Sequence, residues 1–208
     1  MKLDVDLNLI RKSGCILKDT LSYAIGICVI GTTPKIISQK INDYILSYRG
    51  AVPAFLGYRG FPEAACISVN EQVVHGIPND IPIVNGDLVS IDCGVIFEEH
   101  YTDAARTLIV GEAGHRERKL VKITKEALDQ GIKQAVAGKK VGDISFAVQH
   151  HVEKNGFKVS PNFTGHGIGK ILHGPPQIPN FGIPGVGETL FSGQCLAIEP
   201  VVFDGATN

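Results

Sequence analysis

The 208-residue sequence predicts an α+β fold made of two similar halves, each with helices packed on antiparallel strands. Three observations predict it. Two long helical patterns, 5–30 and 115–137, are each followed by a shorter one, 34–48 and 144–155, and then by turn-rich strand segments. The stops of these helices recur at nearly one offset: Gly31 and Gly138 lie 107 residues apart, and Gly50 and Gly156 lie 106 apart. Gly86-Asp-Leu-Val-Ser-Ile-Asp92 aligns with Gly193-Gln-Cys-Leu-Ala-Ile-Glu199 at the same spacing of 107, and both segments end in Ile followed by an acid. Matched helix stops together with matched strands indicate a duplicated unit, with halves of about 1–110 and 112–208.

Each element has its own signal. The first helix runs to Gly31; Thr33-Pro34 then supplies an N-cap and a first-turn proline for 34–48, which Gly50 closes. Residues 88–96 and 101–110 read as a β-hairpin turning at Phe97-Glu98, a register that sets Asp92 directly opposite Asp103. In the second half the long helix ends at Gly138, Asp143 caps 144–155, and Asn155-Gly156 stops it. Residues 195–203 then supply one strand of a second hairpin. The counterpart of Asp103 falls at position 210, past Asn208, so the last strands are expected to be missing. Such a strand would present an unpaired edge and invite aggregation.

Composition narrows the function. Lys+Arg number 20 against 21 Asp+Glu, which lacks the basic excess of a nucleic-acid or anionic-membrane binder. At 44% hydrophobic and 7% aromatic residues the chain is not a disordered one. No apolar run approaches the ~20 residues that span a bilayer, and the start, Met-Lys-Leu-Asp-Val-Asp, does not read as a signal peptide. The cysteines, Cys15, Cys28, Cys66, Cys93 and Cys195, form no Cys-x-x-Cys. They fit a reducing, cytosolic compartment rather than a disulfide framework or a thiolate zinc site. There is no His-Glu-x-x-His and no Gly-x-Ser-x-Gly, and Gly165-x-Gly167-x-Gly169-Lys170 lacks the spacing of a phosphate loop.

Carboxylates on apolar strands need a partner or a metal. Asp92 and Asp103 lie on such strands, and the repeat makes Glu199 the equivalent of Asp92, so three acids are expected to converge on a divalent cation, or two. Of the seven histidines, His100, His115, His150 and His151 read as surface or satisfied core residues. His75, His166 and His173 sit among glycines, which allow backbone and imidazole to approach a ligand closely. A mixed set of oxygen and imidazole donors suits Mn, Fe, Co or Zn.

These residues also carry a family resemblance. Cys66-Ile-Ser-Val-Asn-Glu-Gln-Val-Val-His75-Gly-Ile-Pro, the Asp92/Asp103 spacing, Gly165-His166-Gly-Ile-Gly, His173 and Ile198-Glu199-Pro200 closely resemble the type I methionine aminopeptidases, in order, from about residue 5 onward. The resemblance implies the pita-bread fold, two pseudo-symmetric halves enclosing a dinuclear site of Co, Mn, Fe or Zn. Asp92 would hold one metal, Asp103 would bridge both, and His166 and Glu199 would complete most of the other's shell. The family's fifth ligand, a second bridging Glu, has no match here, which weakens the second site, and Gly174 stands where the family usually has an acid.

The implied activity is removal of the N-terminal methionine from nascent proteins by metal-activated hydroxide, with preference for a small second residue. Glu199 would also shuttle a proton, His173 would stabilise the oxyanion, and His75 would hydrogen-bond near the scissile nitrogen. Phe55, Tyr58, Phe61, Cys66 and Leu172 would line the methionine pocket, with His75 at its rim. The resemblance further implies a cytoplasmic monomer meeting nascent chains at the ribosome, with neither nucleic acid nor membrane as partner. Two alternatives stand beside it. One is an X-Pro peptidase relative, disfavoured by His75-Gly-Ile-Pro; the other is a catalytically impaired, truncated module that binds peptides or partner proteins.

Overall fold

The computed structural model describes residues 5–205, so the acidic start and the last three residues lie outside it. In chain order the elements are α1 (Leu7–Ile27), α2 (Pro34–Leu46), β1 (Ala51–Pro53), a 3-10 turn (Tyr58–Gly60), β2 (Ala65–Val69), β3 (Leu88–Phe97) and β4 (His100–Ile109). There follow α3 (His115–Gln134), α4 (Val141–Lys154), β5 (Lys158–Val159), β6 (Thr164–Gly167), β7 (Gly174–Pro179), β8 (Leu196–Ala197) and β9 (Val202–Phe203). The chain divides into two compact units. Residues up to Gly114 together with Gly169–Leu172 form the first, and His115–Ile168 with the residues from His173 onward form the second.

In the first unit β3 is the central strand. β4 pairs along one edge in antiparallel register, while β2 and β1 share the other, β2 against Val89–Cys93 and β1 against Val95–Phe97. Period-two alternation turns Val89, Ile91, Cys93, Val95 and Phe97 into the core. There they meet Ile16, Leu17, Leu21 and Ala24 of α1 and Ile37, Ile41 and Ile45 of α2, spaced three and four apart on their helices. Asp6 caps α1, its carboxylate accepting from Asn8 N at 2.8 Å, and Thr33 caps α2 as its sequence indicates. In the second unit α3 packs on α4. Ile123, Ala127, Val148, Val152 and Phe157 form one apolar cluster, and Val141, Ile144, Ile178 and Leu190 form another.

The duplication is written in backbone hydrogen bonds. Gly31 N donates to Ile83 O and Ile83 N to Thr32 O, each at 2.9 Å; Gly138 N donates to Leu190 O and Leu190 N to Lys139 O, each at 2.8 Å. Lys35 N to Asn79 O recurs as Gly142 N to Val186 O, both at 2.9 Å. The paired glycines share a left-handed backbone: φ is +88° and +92° at Gly31 and Gly138, and +94° and +87° at Gly86 and Gly193.

Four expectations are corrected. The long helices stop at Ile27 and Gln134, three residues early, because Gly31 N and Gly138 N are held by strand-like bonds to distant carbonyls and the chain must leave the helix before them. Asp143 is not the cap of α4: Lys140 holds that position, and the Asp143 carboxylate, inside the first turn, accepts from Lys140 N at 2.8 Å and Gly185 N at 2.9 Å. The hairpin turns at Glu98-Glu99, whose φ angles are +44° and +62°. Phe97 therefore pairs with His100, Asp103 faces Gly94, and Asp92 faces Ala105. Last, 195–203 is not one strand; β8 pairs with β6, β9 pairs with β5, and the ladder breaks over Ile198–Val201, where Pro200 has no N–H to donate.

Candidate active site

The first unit supplies two carboxylates on one sheet face. Asp92 sits on the face of β3 turned away from the apolar core, and Gly94, two residues on, shares that face and pairs with Asp103. The acids are thus diagonal neighbours across the ladder rather than directly opposed, a separation of about 7–8 Å between backbone positions in such pairs. Both are half-buried. On the other edge of β3, Cys66 faces Asp92, and its thiol is pushed up to about 12, first by burial and then by the Asp92 charge. The buried Cys93 thiol is raised for the same reasons, with Asp103 adding to Asp92. Both therefore stay protonated and are poor nucleophiles.

Side chains around this pair were only partly foreseen. Ser13, fully buried on α1, donates to Val95 O at 3.1 Å and shares a 2.8 Å hydrogen bond with Thr102 Oγ1, tying the helix to the residue before Asp103. The signal was available: a serine on the otherwise apolar stripe of α1 must find buried partners. Phe55 is buried, with its ring edge against Gly94; a Cβ on Gly94 would come within 2.9 Å of Phe55 Cε1. Phe55 and Cys66 thus both lie against β3, at Gly94 and Asp92. Tyr58, on the 3-10 turn, and Phe61, just after it, are half-buried, and Phe61 N donates to Tyr58 O at 2.9 Å. The following segment is anchored by buried Glu63, which accepts from Lys35 and from Ser38 of α2. His75 is exposed, in a left-handed conformation with φ +57°. Its neighbour Gly76 is pinned to β2 by Ile67 N to Gly76 O at 2.9 Å and Gly76 N to Ser68 Oγ at 3.0 Å. A Cβ at Gly76 would lie 2.4 Å from Ile67 O, so only glycine allows that approach. Leu172 is buried within the first unit.

The second unit gathers His166, His173 and Glu199. His166, on β6, is flanked by two glycines without room for a side chain: a Cβ would meet Ala197 O at 2.2 Å on Gly165 and Pro175 O at 1.9 Å on Gly167. Its Nδ1 lies 3.0 Å from Gly167 O. A carbonyl only accepts, so Nδ1 carries the proton and Nε2 offers its lone pair. That Nε2 lies 3.1 Å from Glu199 Oε1, on the segment between β8 and β9. Glu199 Oε1 is buried yet makes no hydrogen bond. Two lone pairs therefore face one another at a spacing fit for donors of one ion, since two atoms each about 2.1 Å from a metal at tetrahedral or square angles lie about 3.0–3.4 Å apart. The donor set fits a divalent cation. His173, exposed at the entrance to β7, sets its ring edge-on to His166 with centroids 4.4 Å apart.

Comparisons with known proteins agree with this chemistry. The model of metallopeptidase family M24 matches residues 8–207. The methionine aminopeptidase of Clostridium perfringens is 43% identical over 206 residues, covering 99% of this chain and 82% of that protein. That of Clostridium acetobutylicum is 41% identical over 203 residues, covering 97% and 81%. Among solved structures, methionine aminopeptidase from Thermotoga maritima superposes with a TM-score of 0.93 at 40% identity, covering 97% of this chain and 82% of that one. The prolidase from Pyrococcus furiosus gives 0.83 at 24% identity, covering 96% and 57%, a likeness of fold alone.

Proposed function

The chain belongs to metallopeptidase family M24, and we infer that it is a methionine aminopeptidase of the pita-bread fold, removing the N-terminal methionine from peptides and proteins with divalent metal. The X-Pro peptidase reading is not favoured, because the likeness to prolidase extends to the fold only. The observation that carries the metal dependence is the pairing of His166 Nε2 with the buried, unbonded Glu199 Oε1.

Within that activity we assign Asp92, Asp103, His166 and Glu199 as ligands of two divalent ions. Bound there, such ions polarise the scissile carbonyl and lower the pKa of the attacking water. Glu199 accepts the proton of that water and delivers it to the departing amine as the carbon–nitrogen bond breaks. His173 donates a hydrogen bond to the carbonyl oxygen as negative charge develops on it. His75 hydrogen-bonds the scissile nitrogen from the rim of a pocket formed by Phe55, Tyr58, Phe61, Cys66 and Leu172. The apolar character of Phe55 and of the protonated Cys66 suits a thioether.

No helix among the described residues is long and apolar enough to cross a membrane. We place the enzyme in the cytoplasm, as a monomer acting on nascent chains at the ribosome and preferring a small second residue.

The test is methionine release from Met-Ala-Ser with added Mn²⁺, against chelated protein and against X-Pro dipeptides. Release is expected only with metal and only from the Met peptide. Asp92→Asn and His173→Ala should each lower turnover about 10²-fold or more. Metal-independent release, or faster cleavage of X-Pro, overturns the assignment; near-normal turnover in either variant removes the role of that residue.

A further inference from the structure

The two helix pairs differ at one equivalent place. Between α1 and α2 the gap is closed by Tyr23 and Tyr44, whose rings stack 4.7 Å apart at 14°. At the repeat spacing of 107 their counterparts between α3 and α4 are Gln130 and His151. A glutamine and an imidazole form no such pair of stacked phenol rings, and a cleft of about 420 Å³ opens there, with Gln130, Gln134, Asp143, Phe146, His150, His151 and Lys154 among its lining. That volume lies in the range of small-molecule sites, about 300–1,000 Å³.

The lining suits a flat, polar-edged ring. Phe146 and His150 stack with centroids 5.6 Å apart at 14°, and Phe146 is 41% exposed, a platform already assembled. The Gln130 amide donates and accepts, and Gln134, whose oxygen accepts from Lys139, offers its NH₂ group, as a heteroaromatic edge requires. His151 is oriented by Glu126, with Nε2 3.1 Å from its carboxylate. The wall beside Pro184 is fixed by two bonds from the loop, Gly185 N to Asp143 Oδ1 at 2.9 Å and Gly182 N to Gln149 Oε1 at 3.1 Å. Charge adds direction. Asp143, which also lines the cleft, keeps its charge but turns its two oxygens to Lys140 N and Gly185 N, and Glu126 is turned to His151 and Lys122. Lys154 makes no ion pair among the described residues and offers its ammonium to a ligand.

We propose that the α3–α4 cleft binds a planar heteroaromatic ring carrying an acidic group, the class of a nucleoside monophosphate, in the place that the Tyr23–Tyr44 stack fills in the first unit. The site uses none of the residues assigned to peptide hydrolysis and stands independently of that reading.

The test is a titration of the full chain with AMP and with adenosine, following the ring-proton NMR signals of His150 and His151. Saturable shifts are expected for both, with AMP binding about two- to fivefold more tightly, the worth of one partly exposed ion pair. Lys154→Gln should abolish that ratio. Phe146→Ala should weaken AMP about fivefold or more, as loss of a stacking ring does. The double change Gln130→Tyr with His151→Tyr rebuilds the tyrosine stack; following His150 alone, it should abolish binding while methionine release is unaltered. No saturable shift with either probe overturns the site. So does AMP binding that survives the tyrosine pair at full strength, or that ignores Phe146→Ala, the exposed variant least able to disturb the fold. Equal affinity for adenosine and AMP overturns the acidic part of the ligand.

Discussion

Gly94→Ala probes the joint between fold and pocket. Gly94 pairs with Asp103, and a methyl placed on it would meet Ala54 Cβ and Phe55 Cε1 at 2.9 Å each and Thr102 O at 3.0 Å. Carbon contacts settle near 3.5–4.0 Å, so the new atom overlaps its neighbours by about 0.5–1 Å. Thr102 O belongs to the ladder beside Asp103 and cannot withdraw without opening the hairpin. Phe55 must yield instead. Overpacking of this kind costs about 1–3 kcal/mol, which at a urea slope of about 2–3 kcal/mol per molar lowers the midpoint by roughly 0.3–1.5 M. Because Phe55 is assigned to the methionine pocket, KM for Met-Ala-Ser should rise while kcat changes less. Phe55→Ala alone costs about 3–5 kcal/mol, yet it empties the space the methyl needs, so the double variant should be more stable than the sum of the two losses implies. A wild-type midpoint and KM in Gly94→Ala, or strict additivity in the cycle, would refute the reasoning.

Three further outcomes are expected. Replacing Glu98-Glu99 by Asn-Gly should stabilise the protein by about 1 kcal/mol, since two non-glycine residues with φ +44° and +62° are relieved; the exposed Lys170–Glu99 pair is a small loss. The gain reads as about 2–4 °C in Tm, and no gain would count against strain in that turn. Hydrogen bonds from Lys140 N and Gly185 N, first among the causes, hold the Asp143 carboxyl below its ordinary value of 3.8. Its folded pKa is the lower one, so its contribution is present above 3.8 and lost as pH falls through the folded value; Tm of Asp143→Asn should therefore fall less steeply than wild type between about pH 5 and 2, and parallel curves would sink this account. At pH 8 a thiol reagent should label exposed Cys15 quickly and spare Cys28, raised to about 11, and Cys66, raised to about 12, until urea is added; rapid native labelling of Cys66 would contradict its burial beside Asp92.

Legibility in the sequence followed the range of the forces involved. Glycines that must adopt φ near +90° announce themselves, which is why Gly31, Gly50, Gly86 and their counterparts marked the repeat and bracketed its helices and strands. Where a boundary depends on a partner far along the chain, local pattern misleads: the early end of α1 is decided by Ile83, and that of α3 by Leu190. The repeat itself contained the start of α4, since Thr33 at the common spacing falls on Lys140. Lysine has no side-chain acceptor, so residue chemistry pointed to Asp143 instead. The hairpin register failed for a related reason. Two glutamates are poor signals of a left-handed turn, and a one-residue displacement of that turn changed which residue faces Asp103.

The break at Pro200 shows how a duplicated position acquires different chemistry. Asp92 lies within a continuous ten-residue strand and has oxygen-donor company, Asp103, on the same face. Its counterpart Glu199 lies where the ladder is interrupted, free of strand pairing, and one carboxylate oxygen reaches the imidazole of His166. Carboxylates alone serve Mg or Ca as readily as a transition metal, whereas an imidazole whose other nitrogen is fixed by a carbonyl favours Mn, Fe, Co or Zn. The selectivity of the proposed centre therefore rests on His166, and through it on Gly165 and Gly167. Any side chain at either glycine would collide with the backbone of a neighbouring segment and displace the ring from Glu199. Conserving the histidine without its two glycines would keep the donor atom and lose its position.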